Sequence, residues 1–420
     1  MASKTAQANT PSPNLSQRER KIPAGWREVC PPQNWRRVKL GEVADDITYG
    51  YTASANNNKI GPKFLRITDI VPDRINWINV PYCEISDKDK VKYQLKIGDI
   101  VIARTGATTG YNKIIKEKYD SVFASYLIRY RINTKVAHPF YIGYVLLSPK
   151  WKGFIDGVKG GSAQPGANAK QLASFQFLLP PLPEQKAIAE VLSSLDDKID
   201  LLHRQNKTLE DMAQVLFRKW FVDEADEGWK EVRLGEVLDI KLGGTPSTTK
   251  SEYWNGDIPW INSGEINKFR IFEPTKYITQ LGLEKSATKL LPKGTTVIAI
   301  TGATLGQISL LEFDCCANQS VVGVIPNEIL PREFVYLWIK KTIAELISNQ
   351  TGGAQQHINK NDVNNALIVI PAKEKLGKNI PTLKNLFDKI SVNISQIHTL
   401  ENMRDTLLSK LMSGEVRVKF

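Results

Sequence analysis

Two short loops, Thr105-Gly106-Ala107-Thr108 and Thr301-Gly302-Ala303-Thr304, each follow a β-branched apolar run. A glycine lets backbone N–H groups approach a phosphate closely, and a threonine hydroxyl can bond a phosphate or a base edge. The same residues also suit a tight turn that serves folding alone, and both readings stand at this level. Arg104 precedes the first loop where Ile300 precedes the second. Arginine is the commonest reader of guanine, and it is equally an ordinary surface charge. Lys59, Lys63 and Arg66 surround an Asn- and Ser-rich stretch, 50–62, and Lys250, Tyr253, Trp254 and Lys268 occupy the matching stretch further on. Cations mixed with aromatics and amides suit a DNA face, although Trp254 and Trp260 read better as core. A second pair of loops follows Gly-Gly, with Gln164 and Asn168 in one and Gln355, Gln356, His357 and Asn359 in the other. Such amides can read adenine bidentately; they are also common turn residues.

The chemistry these residues could do is binding, and groups that break or make bonds are not evident. No GxxxxGK[ST] loop for ATP occurs, no FxGxG loop for a methyl donor, and no NPPF or DPPY tetrapeptide. The four histidines form no HExxH, and Cys30, Cys83, Cys315 and Cys316 form no CxxC. No metal site is expected, and the thiols read as reduced and cytosolic.

Something must position these loops. The 420 residues are 42% hydrophobic and 24% charged, enough for more than one core. Lys+Arg 56 against Asp+Glu 44 leaves +12, which favours an anionic partner, nucleic acid before a membrane surface. A basic solvated face with no partner is the plainer alternative. No apolar run reaches the ~18 residues of a membrane span. The polar start lacks the apolar stretch of a secretory leader, so residues 1–23 read as a flexible tail and a cytoplasmic location is expected.

The chain also repeats itself. WRRVKLGEV (Trp35–Val43) returns as WKEVRLGEV (Trp229–Val237), and VIARTGATTG (Val101–Gly110) as VIAITGATLG (Val297–Gly306). FLRITDI (Phe64–Ile70) is echoed loosely by IPWINSGEI (Ile258–Ile266), and GGSAQPGANAKQL from Gly160 by GGAQQHINKNDV from Gly352. LDDKI (Leu195–Ile199) matches LFDKI (Leu386–Ile390), and TLEDM (Thr208–Met212) matches TLENM (Thr399–Met403). The blocks keep their order at offsets of 191 to 196 residues, so the chain is a tandem duplication of a globular module followed by a helical segment. The modules read as mixed α/β. DIVIA (Asp99–Ala103) and TTVIAI (Thr295–Ile300) are strands, and 139–155 and 331–347 are counterpart amphipathic helices.

In the first helical segment apolar residues fall at Ile188, Leu192, Leu195, Ile199, Leu202, Leu209, Ala213, Leu216 and Trp220, with Asn206 in the one polar slot. This is a heptad seam, and a lone Asn in it reads as a register device. From Glu184 to Val222 such a helix is about 58 Å long. The second copy runs Leu383, Leu386, Ile390, Ile394, Ile397, Leu400, Leu407, Leu411 and stops at Ser413-Gly414. Two long helices with one apolar stripe each, joined through a folded module, pair most simply as an antiparallel coiled coil. Phe217, Trp220 and Phe221 end the first helix, either capping the coil or forming an exposed docking patch for a partner.

The order of module, PPLPEQ leading into a helix with LDDKI and FRKWF, second module and shortened copy resembles the specificity subunit of a Type I restriction–modification system. GGTPSTTKSEYWNGDIPWINSGEI (Gly243–Ile266) and both TGATxG loops resemble that family's target-recognition domains. The second copy departs from the pattern, with PAKEKLGKNIPTL in place of PPLPEQ. The resemblance implies an α+β (mixed α/β), pseudo-two-fold molecule. Residues 24–180 and 225–372 would be target-recognition domains, and 181–224 and 373–420 the helices that fix their spacing. Each domain would read one half of a split, asymmetric site in double-stranded DNA. Methyltransferase subunits, two of them, and restriction/motor subunits would dock on the chain. S-adenosylmethionine, ATP and Mg²⁺ would belong to those partners and no cofactor to this chain, which would not itself be an enzyme. Two other readings remain open: a restriction or methylation enzyme with an unrecognised catalytic motif, and a coiled-coil adaptor that never touches DNA.

Overall fold

The computed structural model describes residues 32–72, 74–159, 166–348 and 357–419. The chain forms two compact units: residues up to Asp197 with those from Leu400 onward, and Lys198–Thr399. The division runs through the two longest helices, the central helix Leu182–Arg218 and the C-terminal helix Lys373–Ser413. Each unit therefore holds one module and a part of both helices.

In the first unit Arg36–Lys39 pairs antiparallel with Gln176–Leu179, which closes the module on its own beginning. The main sheet is antiparallel, in the order Ala44–Tyr49, Leu127–Ile132, Ile100–Ala103, Asn112–Ile114. Ile100, Ile102, Ile128 and Tyr130 face a core shared with Tyr141, Ile142 and Val145. Val101, Ala103 and Leu127 face a smaller one with Leu65, Trp77 and Phe123. Burial on both faces is why IVIA is apolar at every position rather than at alternate ones.

The second unit uses the same plan. Lys230–Arg233 pairs with Leu367–Ile370. The strands Asp239–Leu242, Val321–Ile325, Thr296–Ala299 and Ile308–Leu311 follow in that order, with Arg270–Ile271 added parallel at the edge. The mixed helix-and-sheet composition expected of both modules is present. One expected helix is not: 139–155 is two helices, Pro139–Val145 and Pro149–Lys159. Pro149 has no N–H for the ladder, and it disfavours helical geometry at Ser148 before it. Its counterpart Arg332–Ser348 has no internal proline and stays whole.

Cys83, Cys315 and Cys316 are buried and free. Cys315 and Cys316 are neighbours on one strand, so their side chains enter different cores. Burial pushes the Cys83 thiol up to about 11 and moves the other two upward as well. At pH 8 the thiolate fraction of Cys83 would be about 0.1%. Iodoacetamide at that pH should leave all three unlabelled in the folded chain and label them after unfolding, as read by peptide mass spectrometry. Rapid labelling of any of them in the folded chain would contradict this packing.

The central helix begins at Leu182, with Pro183 in the first turn, where its missing N–H is tolerated. It ends in a π turn at Lys219–Asp223. The C-terminal helix begins at Lys373, passes through Pro381, and stops at Gly414, whose φ of +78° suits the left-handed helix cap.

The buried stripe is wider than a two-helix seam. Ile188, Leu192, Ile199, Leu202, Ile390 and Ile397 are buried as expected. Leu195, Leu209, Leu216, Leu386, Leu400 and Leu407 are only half-buried, at the flank. Leu383 and Leu411 are also buried as expected, and Phe217, Phe221, Phe387 and Leu408 join them because each helix also packs against a module.

In the first unit Glu184 is fully buried. It accepts Trp35 Nε1 at 3.1 Å and the Nε and Nη2 of Arg417 at 2.8 and 2.9 Å. Further along, Asp196 accepts the Tyr144 hydroxyl at 2.7 Å and Arg404 Nη1 at 3.3 Å. In the second unit the buried Asn393 donates from Nδ2 to Gln205 Oε1 at 2.9 Å and Asn206 Oδ1 at 2.8 Å.

Candidate nucleic-acid interface

The two TGAT loops are built alike. Gly110 N donates to Ala103 O at 2.8 Å in one, and Gly306 N to Ala299 O at 2.9 Å in the other. The last glycine of each loop, Gly110 (φ +89°) or Gly306 (φ +78°), lies so close to Ile155 or Ile347 that a Cβ would overlap it. The first glycine is the opposite case. At Gly106 (φ +71°) and Gly302 (φ +72°) an added Cβ would meet nothing within 4 Å. Each loop thus has a pinned base and an open tip.

The threonines brace the turn. Thr108 Oγ1 donates to Thr105 O at 3.3 Å and Thr304 Oγ1 to Thr301 O at 3.4 Å. Their hydroxyl protons are used inside the loop, as the tight-turn reading has it.

In each module the structure brings this loop beside the end of the second one. Ala167 N donates to Arg104 O at 2.9 Å, and Ile358 N to Ile300 O at 3.1 Å. Gln164, Gln355 and Gln356 lie outside the described residues, and His357 is exposed. Asn168 and Asn359 have another task from the one expected. Each caps a short helix, Ala169–Ala173 or Lys360–Asn365, its side-chain oxygen accepting Gln171 N or the N–H groups of Asn361 and Asp362. Both are capping boxes, so the side-chain oxygens of these amides hold the backbone.

Several expected cations are also engaged. Lys63 Nζ donates to Val80 O at 2.6 Å and Ile78 O at 3.1 Å and lies 4.1 Å from the Tyr82 ring centroid. Arg66 forks onto Asp69 with two bonds of 3.0 Å, which neutralises its charge locally. Lys250 donates to the hydroxyl of Tyr253, which is itself buried. Lys59 and Lys268 are exposed. Trp254 and Trp260 pack edge to face at 5.2 Å, and their indole N–H groups hold Ser247 O and Gly244 O. They are framework for the loop that carries Gly243 and Gly244.

Arg104 does have the setting of a contact residue. Its guanidinium carbon lies 5.1 Å from the Tyr49 ring centroid, and its Nε donates to Ser125 O at 3.1 Å. Reading the residues alone missed Tyr49 and Tyr126, both exposed beside it. Only the strand register reveals them.

Phe217 and Phe221 are not an exposed docking patch. Both are buried in the second unit, with the Phe217 ring tilted against Phe334 (5.3 Å) and Phe221 against Trp229 (6.3 Å), while Trp220 is half-buried. Three aromatic residues near a helix end are more readily satisfied by the adjoining core than by water.

One frame built twice, with different side chains at the same open loops, defines a tandem recognition protein. Residues 32–211 and 226–402 each match the family described as the type I restriction modification DNA specificity domain, and the chain belongs to that family. Members are the DNA-recognition component of a restriction–modification complex and not its catalyst. The MjaIX specificity subunit of Methanocaldococcus jannaschii is 27% identical over 346 residues, 77% of this chain and 76% of the relative. The putative MjaX specificity subunit of the same organism is 26% identical over 410 residues, 92% of this chain and 95% of the relative. The crystal structure of the S subunit from M. genitalium shares the fold at a TM-score of 0.56 and 16% identity, covering 90% of this chain and 96% of that one. Among the described residues no helix is long and apolar enough to cross a membrane.

Proposed function

We propose that each module reads one half of a split, asymmetric DNA target, and that the two long helices pair as an antiparallel coiled coil whose length sets the gap. The observation that carries this is the shared hydrogen-bond frame around the two TGAT loops with unlike side chains upon it: two copies of one reader with two readouts. Within each unit, contact positions descend along one helix as they ascend along the other. Ile188 and Leu192 share a core with Leu408 and Leu411, and Asp196 meets Arg404, in the first unit, while the second places Asn206 with Asn393 and Phe217 in one core with Phe387. This supports antiparallel pairing and approximate two-fold symmetry.

The helices also support two docking sites. Leu201 and Met212 are exposed on the central helix, and Val392 and Met403, each 191 residues later, are exposed on the C-terminal helix. Equivalent apolar positions on both copies suit two copies of one partner, the methyltransferase subunit, with restriction/motor subunits joining the assembly. The methyl donor, ATP and Mg²⁺ would reside on those partners, in the cytoplasm.

Single-molecule methylation mapping of cells carrying this chain and its methyltransferase tests the reading. The expected result is adenine methylation at a bipartite sequence with a fixed gap. Methylation at a continuous or symmetric site would refute it.

A further inference from the structure

We propose that Arg104 is the guanine reader of the first module, aimed by Tyr49 and Ser125 and flanked by Tyr126, and that the second module has no such reader at the equivalent place. The proposal rests on the DNA-reading function above and names which base one half-site must contain.

The sheet register sets the geometry. Tyr49 pairs with Ile128, and Ile128 pairs with Ile102. Paired residues share a face, and so do residues two apart on a strand. Arg104 and Tyr126 each lie one residue beyond these strands, where Arg104 N still donates to Tyr126 O at 3.1 Å. The Arg104 guanidinium and the Tyr49 ring, 5.1 Å apart, therefore stand together at the end of the sheet at the start of the TGAT loop, with Tyr126 adjoining through the backbone. Tyr49 is 41% exposed and Tyr126 57%. The Tyr49 hydroxyl is fixed by accepting Ala169 N at 2.9 Å. With Nε held by Ser125 O, a bidentate contact to guanine O6 and N7 would be made by Nη1 and Nη2. A guanidinium stacked on a fixed ring loses less freedom on forming that fork than a loose side chain would.

The second module repeats the frame without these groups. Gly50 N donates to Leu127 O and Gly243 N to Val321 O; Arg104 N to Tyr126 O and Ile300 N to Ser320 O. These bonds equate Tyr49 with Leu242, Arg104 with Ile300 and Tyr126 with Ser320. Ile300 is buried in the core, and the three equated positions hold neither a cation nor a ring. The backbone that presents the reader is common to both modules, and the reader belongs to one.

The test uses the complex of this chain with its methyltransferase partner and duplexes that carry its target. Each guanine is replaced in turn by 7-deazaguanine, which lacks the N7 acceptor. Binding should weaken roughly 5- to 150-fold at one position in one half-site, and the sensitivity should vanish with R104Q or R104A while the other half-site is read as before. If no guanine is sensitive, or if the sensitive guanine remains so with both variants, Arg104 is not the reader. A wild-type complex with no bipartite target would overturn the functional reading instead, and this proposal with it.

Discussion

Replacing Arg270 with leucine is expected to destabilise the second unit by about 3 kcal/mol, because it leaves the buried Glu312 with only the Ser391 hydroxyl and the exposed Lys293, 3.7 Å away. The Arg270 side chain is fully buried and Glu312 is 5% exposed. Arg270 Nη1 bonds Glu312 Oε1 and Ser391 Oγ, and Nη2 donates to Phe387 O at 2.9 Å, so one guanidinium joins an edge strand to the C-terminal helix. Burial, with the nearby charge of Arg332, pulls the Arg270 pKa down to about 9, and the carboxylates of Glu333 and Asp388 offset part of that shift. Arg270 Nε has no partner, so even the intact pair is incompletely satisfied. R270L should lower the melting temperature of this unit by about 10 °C. The double variant R270L/E312L removes both charges and should recover much of the loss. Replacing Lys116 alone, which meets Asp196 at 3.4 Å and leaves that carboxylate with Tyr144 and Arg404, is the control and should cost less than about 1 kcal/mol. Calorimetry on the four proteins checks this. An R270L variant as stable as the parent would show that the pair does not hold the helix to the sheet.

What could be read from the sequence was whatever repeats. The offset of 191 to 196 residues and the apolar runs located both modules, both TGAT loops and both long helices. A buried strand and a heptad stripe leave local signatures, whatever lies across from them. Partner choice leaves fewer. Arg66 reads as a free cation until Asp69 is seen three residues on, the spacing of one helical turn. Asn168 with Gln171 and Asn359 with Asp362 are capping boxes by spacing, a readable signal that the amide-rich look of the loops obscured. Tyr49 and Tyr126 lie 55 and 22 residues from Arg104 along the chain and meet it only through strand register. Asn393 falls between two apolar seam positions, and nothing nearby says that Gln205 and Asn206 will meet its Nδ2. Phe217 and Phe221 were ambiguous because an aromatic cluster at a helix end has the same composition whether a partner or its own core covers it.

Shortening both helices by one heptad should shorten the unread gap of the target by about three base pairs. Seven residues of helix span about 10 Å, and base pairs rise ~3.4 Å. The choice of heptad follows from the polar layer. Asn393 is fully buried and gives its amide protons to Gln205 and Asn206. A deletion that took Gln205 and Asn206 but left Asn393 would leave a buried amide unpaired, at about 1–3 kcal/mol, and would confuse instability with a changed gap. Deleting Leu202–Thr208 together with Val392–His398 removes all three polar residues at once. It keeps the heptad phase on both helices and leaves Ser391, with its bond to Arg270, in place. The remaining layers on either side, Ile188 and Leu192 with Leu408 and Leu411 in one unit and Phe217 with Phe387 in the other, are untouched. Methylation mapping of cells carrying the shortened chain should then return the same two half-sites with the smaller gap. Half-sites that change would mean that the deletion has reached the modules. An assembled, active variant that keeps the parental gap would show that something other than the helix pair measures the distance, and the antiparallel ruler would have to be abandoned.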